Sequence, residues 1–384
     1  MTGRGSFIAP GVEKSGPPID LGMNIPPPPK GVRLSEAIQR GVSDLLTRSN
    51  VDVLMTYHVG PGGKAERSAG GAWLEPLLGK VDPERVVVTP GAQPAILALL
   101  KALAGPGATV IAEPLTYPGL IASAAMLNIK IVAAETDDDG VIPDSLERLA
   151  TKSHSKVVCL TPTIQNPTTT TMSQKRRAEI VKIMKKLDLK LIEDDPYALL
   201  AEDAPRPLAY LAPDNCYYIS TVSKVLTPGM RTAFVVLPPG QDGGHLLDAL
   251  RAAALMPAPL MTALLTHWIQ IGVAGDILEG VRAEAKLRQE LAAEILPKDM
   301  KAHPNGIHVW LPLPRHWECF QLVETMRRKG LGVSASDAFS VSGAAPDAIR
   351  ISLGGVTERA RLAEALRSIR QVLVGESRSR QIVV

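Results

Sequence analysis

Cysteine is scarce in this chain. Cys159, Cys216 and Cys319 are far apart and odd in number. That pattern argues against a disulfide framework or a metal knuckle and points to a reducing cytosol. Long apolar runs are missing too. None approaches the length of a membrane span, and the opening "MTGRGSFIAP" lacks the apolar core of a signal peptide. Neither sign of charge dominates: 42 Lys and Arg face 39 Asp and Glu, a net of +3. So small an excess does not make nucleic acid or an anionic membrane the main partner of this chain. No internal repeat is visible. What remains is an ordinary soluble composition, 45% apolar and 21% charged, over 384 residues. That length suits two domains or one large α/β unit.

The first thirty residues, closing on "IPPPPK", are rich in Gly and Pro and read as an extended arm without packing of its own. The spacing of "LSEAIQRGVSDLLT" predicts a helix, and "HVGPGGKAERSAGG" reads as a glycine-rich loop before "AWLEPLLGK". A regular alternation follows. Apolar runs at "RVVVTPG", "ATVIAEP", "IKIVAAE", "KVVCLTP", "LKLIEDDPY", "CYYIST" and "TAFVVLP" are strands, separated for the most part by helical segments. This predicts a mostly parallel sheet covered by helices on both faces. The alternation stops near Pro257. A long helix around "DILEGVRAEAKLRQELAAEIL" then leads to a strand-helix-strand-strand-helix pattern, a smaller α+β unit.

Ligands of open parallel sheets gather at the carboxyl ends of the strands. Four such places carry chemistry-bearing residues. In "TPGAQPA", Gly91 permits a tight turn. The N–H groups of Ala92 and Gln93 then face outward at a helix start, an anion site suited to phosphate. Taken alone, it is equally a plain strand-to-helix turn with Pro94 in its first helical turn. In "LIEDDPY", Asp194 and Asp195 point in different directions along the strand, so one can face a site while the other is solvated. A buried carboxylate needs a positive or hydrogen-bonding partner, and a cap or salt bridge explains either residue as well. In "TPTIQNPTT", Pro167 holds Asn166 out of the helical region. Its amide can donate to a ligand oxygen or merely mark a turn. In "STVSKVLTPGMR", Lys224 is followed by a Pro-Gly turn and Arg231. A nucleophilic lysine needs surroundings that lower its pKa, and an exposed loop lysine is the default for any one Lys. The joint pattern is more specific. An anion cradle, an Asn, a strand-end Asp with a Tyr after it, and a Lys with a trailing Arg occur in chain order, each after a strand. A phosphate-bearing pyridine aldehyde requires that set.

These motifs resemble the fold-type I pyridoxal-phosphate enzymes, aminotransferase class I/II, from about residue 20 to the end. The nearest likeness is to the aminotransferase-like domain of MocR/GntR-type regulators. The resemblance implies an aspartate aminotransferase-like fold. Its large domain holds a seven-stranded-type, mostly parallel sheet and binds the cofactor over 51–280. A smaller α+β domain is formed by 31–50 and 281–384, and residues 1–30 are an N-terminal arm. It implies pyridoxal 5'-phosphate on Lys224 as a Schiff base. Gly91, Ala92, Gln93, Thr221, Ser223 and Arg231 then hold the phosphate. Tyr117 of "EPLTYPG" stacks on the ring, and Asn166 lies near its phenolic oxygen and the substrate carboxylate. The Asp-x-x-Tyr spacing pairs Asp194, not Asp195, with the ring nitrogen and Tyr197 with the phenolic oxygen. Arg350 of "AIRISLGG" clamps the substrate α-carboxylate. Strand alternation agrees, since Ile349, Ile351 and Leu353 share one face and leave Arg350 on the other. Tyr57 of "TYHVGPGG" reaches the phosphate of a neighbouring subunit, which implies a homodimer with shared sites.

The expected activity is cytoplasmic transamination between an amino acid and a 2-oxo acid, in amino-acid metabolism. Lyase or decarboxylase chemistry uses the same residues around the ring. Departures from the family pattern are "NPTTTT", where a glycine often follows the Thr, and "RTAF" after the motif arginine. Both bear on loop shape and substrate choice. The pocket for the substrate side chain is expected around Asn24 and Ile25, the "YHVGPGG" loop and the partner subunit. "GRGSFIAP" resembles the end of a GntR-type wing. The alternative is therefore an effector domain of a MocR-type regulator, whose winged helix was lost or is encoded upstream.

Overall fold

The computed structural model describes residues 18–375. The wing-like "GRGSFIAP" lies outside them, as does the tail from residue 376. Seven strands form the main sheet: β1 (Val86–Thr89), β2 (Thr109–Ala112), β3 (Lys130–Ala133), β4 (Val157–Leu160), β5 (Lys190–Asp194), β6 (Cys216–Thr221) and β7 (Ala233–Val236). Their order is β1-β7-β6-β5-β4-β2-β3. β7 runs antiparallel to both its neighbours and every other pairing is parallel. The strands are short runs of β-branched residues because both faces are covered. Val87, Val110, Val157 and Ile192 pack on one side with helix α2 (Ala92–Leu103). Val86, Val88, Ile111 and Val158 pack on the other. The parallel strands bring the segments after Thr89, Ala112, Leu160, Asp194 and Thr221 to one region of the sheet.

The long helix α4 (Val273–Ile295) carries the chain to a four-stranded antiparallel sheet in the order β8-β9-β11-β10, from β8 (Lys301–Ala302), β9 (His308–Pro312), β10 (Ser334–Ala335) and β11 (Ala348–Ser352). Val309, Leu311, Ile349 and Ile351 of this sheet share a core with Leu362, Leu366 and Ile369 of the last helix, α5 (Arg359–Val374). Trp310 and Arg350 are paired across β9 and β11 and face the other way, toward the main sheet's strand ends.

Local packing departs from the sequence reading in three places. Helix α1 (Leu34–Arg48), assigned from sequence to the small unit, lies against α3 (Pro259–Gln270) in the core of the main sheet. The segment "KAERSAGG" is helical, not a loop: a helix runs over Lys64–Leu78 and starts with Glu66 Oε2 accepting from the Gly63 N–H at 2.8 Å. Gly70 stands inside that helix because a β-carbon there would meet the Phe234 ring at 2.5 Å.

The arm is also packed. Ile19–Asp20 pairs in parallel with Leu331–Gly332, and Leu21, Asn24, Pro26 and Pro27 are buried. Glycines make its bed. A β-carbon on Gly354 would stand 1.8 Å from the Ile25 carbonyl oxygen, and one on Gly280 would stand 2.7 Å from that of Lys30. Backbone seated on backbone at that range excludes any side chain, a requirement of the tertiary fold that composition does not announce. Gly354→Ala should therefore lift the arm without unfolding the sheet. Hydrogen exchange should quicken over residues 19–30 and stay unchanged in β4, β5 and β6. Unchanged exchange in the arm would contradict this seat.

Candidate active site

The strand ends and the arm enclose a cavity of about 560 Å³. Ala92, Gln93, Tyr117, Asn166, Asp194, Tyr197, Thr221, Ser223, Lys224, Arg231 and Arg350 all line it. Gly91 backs it: its φ of 106° is open to glycine, and a β-carbon there would stand 2.9 Å from Arg231 Nη2. Tyr57 is not brought in. It is 76% exposed and absent from the lining.

One end of the cavity is built for an anion. Helix α2 begins at Ala92, so its first N–H groups have no partner within the helix and carry the positive end of the helix dipole. Thr221 Oγ1 donates to Ser223 Oγ at 3.1 Å, and both hydroxyls are buried. Arg231, held in the left-handed region at φ 46°, reaches Pro90 O at 3.4 Å. The Gln93 side chain points elsewhere. Its amide donates to Gly119 O and Ser123 Oγ, bracing the helix that begins beside Tyr117. Only its backbone N–H remains for the cradle.

The other end is built around Arg350. Its Nη1 donates to Asn166 Oδ1 at 2.7 Å, and its Nη2 donates to Gly22 O at 2.5 Å and to Ser334 Oγ at 3.3 Å. The guanidinium lies 4.8 Å over the Phe339 ring. Its Nε is buried without a partner among the described residues. A carboxylate here gains two parallel bonds by displacing the arm carbonyl.

Between these ends stand Lys224 and Asp194. Lys224 Nζ donates to Asn24 O at 2.5 Å. Burial and the nearby Arg350 charge lower its pKa to about 8, against a smaller raising effect of Asp194. It is not the exposed loop lysine that one Lys suggests by default. Asp194 is buried, and its Oδ1 has no hydrogen-bond partner among the described residues. Burial and Asp195 raise its pKa to about 7. Asp195 is not solvated as its strand position allowed. It is 1% exposed and accepts from Tyr218 Oη at 3.2 Å, with the Arg177 charge beside it. Of the two carboxylates, only Asp194 lines the cavity.

Sequence reasoning missed part of the framework. Asn24 lines the cavity as expected around the arm, and in addition its Nδ2 donates to Tyr197 Oη at 2.9 Å and lies 3.1 Å from His308 Nδ1. Burial drives the His308 pKa down to about 3, so its ring is neutral at physiological pH. Its Nδ1 then accepts from Asn24. Nothing in "IHVWLPL" marks His308, since its neighbours Asn24 and Tyr197 come from distant parts of the chain.

The model of the family described as aminotransferase class I and II matches residues 19–369. The chain belongs to that family. Among relatives of this aminotransferase-family chain is the HTH-type transcriptional regulator YdeF of Bacillus subtilis, 30% identical over 292 residues. That match covers 76% of this chain and 63% of YdeF, less than two thirds of the regulator's own length. The 2-aminoadipate transaminase of Thermus thermophilus is 25% identical over 342 residues, 86% of this chain and 84% of that protein. The crystal structure of the Pyrococcus horikoshii kynurenine aminotransferase superposes with a TM-score of 0.83 at 22% identity. It covers 94% of this chain and 91% of that one, a likeness of fold.

The Asp194 environment has a pH signature. Its pKa is about 7 in the fold against an ordinary 3.8, so between those values the folded chain holds a proton that the unfolded chain has lost. The stability tied to that proton is full below about 3.8 and is lost as pH rises through 7. Asn at this position does not titrate. The cofactor-free Asp194→Asn chain should therefore melt above the wild type at pH near 8, with the gap closing as pH falls through 7 toward 4. An unchanging difference across that range would contradict the assignment.

Proposed function

We propose that this chain is a pyridoxal-phosphate-dependent aminotransferase that exchanges an amino group between an amino acid and a 2-oxo acid. The observation that carries the reading is that Lys224 and Asp194, whose Oδ1 lacks a partner among the described residues, line one cavity between an end suited to phosphate and an end built around Arg350. The residues fit the cofactor. A ring nitrogen supplies the missing partner of Asp194 Oδ1, and a phosphate dianion suits the helix start at Ala92 with Thr221, Ser223 and Arg231. Bound there, pyridoxal phosphate supplies the electron sink for chemistry at the α-carbon.

In this reading Lys224 is the residue whose Nζ would hold the cofactor. Its Nζ would take the α-proton and return it as general base and acid. Asp194 holds the proton of the ring nitrogen in place. Tyr197 and Asn166 hold the phenolic oxygen, with Asn24 and His308 fixing Tyr197. Tyr117 lies against the ring. Arg350 orients the substrate through its carboxylate, which exchanges with Gly22 O.

The reading extends to a homodimer. Val53, Met55, Tyr57, Val59 and Leu255 are exposed apolar or aromatic side chains, and this segment is tied at His58 N to Met256 Sδ, 3.1 Å. In the dimer that the family resemblance implies, Tyr57 would meet a partner's phosphate. Sedimentation should show one species of twice the chain's 40.9 kDa, and a persistent monomer would refute it. Among the described residues no helix is long and apolar enough to cross a membrane, and the three thiols are unpaired.

The relationship to YdeF favours a second reading, a ligand-sensing domain that binds the same groups without useful turnover. One assay separates the two. With 2-oxoglutarate and a panel of amino donors, the wild type should form glutamate over many turnovers. Lys224→Ala should lose that turnover and the visible absorption of bound cofactor together. Absence of glutamate with every donor would favour the sensor, and full turnover in Lys224→Ala would refute both assignments of the lysine.

A further inference from the structure

A second cavity, of about 330 Å³, opens between the two sheets on the far side of the Thr161–Asn166 segment. Such a volume lies at the lower end of the range for small-molecule sites, ~300–1,000 Å³. Its walls come from both units. The main unit contributes the residues after β2 and β4 and the hairpin around Asp137–Gly140, and the small unit contributes Lys301 and Trp310. Glu113 lines this cavity and not the catalytic one.

Glu113 is 5% exposed. Its Oε1 accepts from the Thr161 N–H at 2.8 Å, while Oε2 has no hydrogen-bond partner among the described residues. Burial, with a smaller contribution from the Asp194 charge, raises its pKa to about 7, against the lowering effect of the Thr161 N–H and its own backbone N–H. A buried carboxylate without a counter-ion is costly. The other carboxylates on the walls are engaged, Asp137 by Arg176 at 2.8 Å and Asp138 by Lys301 at 2.7 Å. With Arg176 and Lys301 taking those two, Glu113 is the wall carboxylate left without a cation among the described residues. Thr136, Thr168 and Thr170 add hydroxyl acceptors, and Leu115, Met172 and Trp310 add apolar wall. Among the described residues no cluster of His, Cys, Asp and Glu could hold a metal ion.

We propose that this inter-unit cavity is a binding site for a small organic cation, an amine or guanidine with a short apolar body, whose charged head pairs with Glu113 Oε2. The site is distinct from the catalytic cavity, where Lys224, Arg231 and Arg350 repel a cation. A ligand here touches both units at once, and through Thr161 it adjoins the wall that the two cavities share.

Calorimetric titration of the full chain with n-propylguanidinium chloride tests the proposal. This probe fits the volume and has no primary amine to transaminate. The wild type should bind it saturably. Glu113→Gln keeps the acceptor for Thr161 but loses the charge, and should weaken binding tenfold or more. Lys301→Gln, an exposed change that removes the competing cation, should tighten it severalfold and gives an answer even if the Glu113 variant does not fold. Absence of saturable binding by the wild type, or equal affinity in wild type and Lys301→Gln, would overturn the proposal. So would undiminished affinity in a folded Glu113→Gln chain.

Discussion

A carboxyl group held out of water at the end of a parallel strand sets the terms for the rest of this molecule. Asp194 closes β5 with one oxygen unpartnered, beside an amine whose own pKa is depressed. Neither state is favourable for folding alone. Leaving a buried polar group unpaired costs about 1–3 kcal/mol. The surrounding cores, packed on both faces of a seven-stranded sheet, hold the two groups in place against that cost. A pyridine nitrogen at Asp194 and an aldehyde at Lys224 would relieve both at once.

The parts that complete the cavity come from three directions, and each does something the others cannot. The parallel strands deliver Asn166, Asp194 and the Thr221–Arg231 segment to one region. The small sheet supplies Arg350, whose charge also helps to lower the Lys224 pKa. The arm supplies Asn24 and Gly22, whose carbonyls occupy Lys224 and Arg350. In the proposed reading, a substrate carboxylate at Arg350 would exchange with the Gly22 carbonyl of the arm. The glycines at 280 and 354 that seat the arm thereby bear on the chemistry, although neither lines the cavity.

Much of this was legible in sequence because the main sheet repeats one physical rule: a short apolar run, then a segment that lines the cavity. Lys224, Asp194, Asn166 and Arg231 stand at those ends, and alternation along "AIRISL" puts Arg350 on the face away from its core. What escaped depends on approach between distant segments. Gly70 looked like a loop residue because the Phe234 ring that requires it is far along the chain. Asp195 looked free for solvent because its partner Tyr218 sits on the next strand. His308 and Glu113 carry no motif, and their importance rests on burial and on an atom without a partner. Tyr57 stands apart, since a single chain gives its exposed ring nothing to meet.

The central claim is that one amine, Lys224, holds the cofactor. Adding pyridoxal phosphate to the purified chain, reducing with borohydride and mapping the modified peptides by mass spectrometry tests it most directly. The account predicts a phosphopyridoxyl group on the peptide that contains Lys224, at one per chain, and its loss when Asp194 is replaced by Ala. Modification spread over surface lysines, with the Lys224 peptide unmodified, would contradict it.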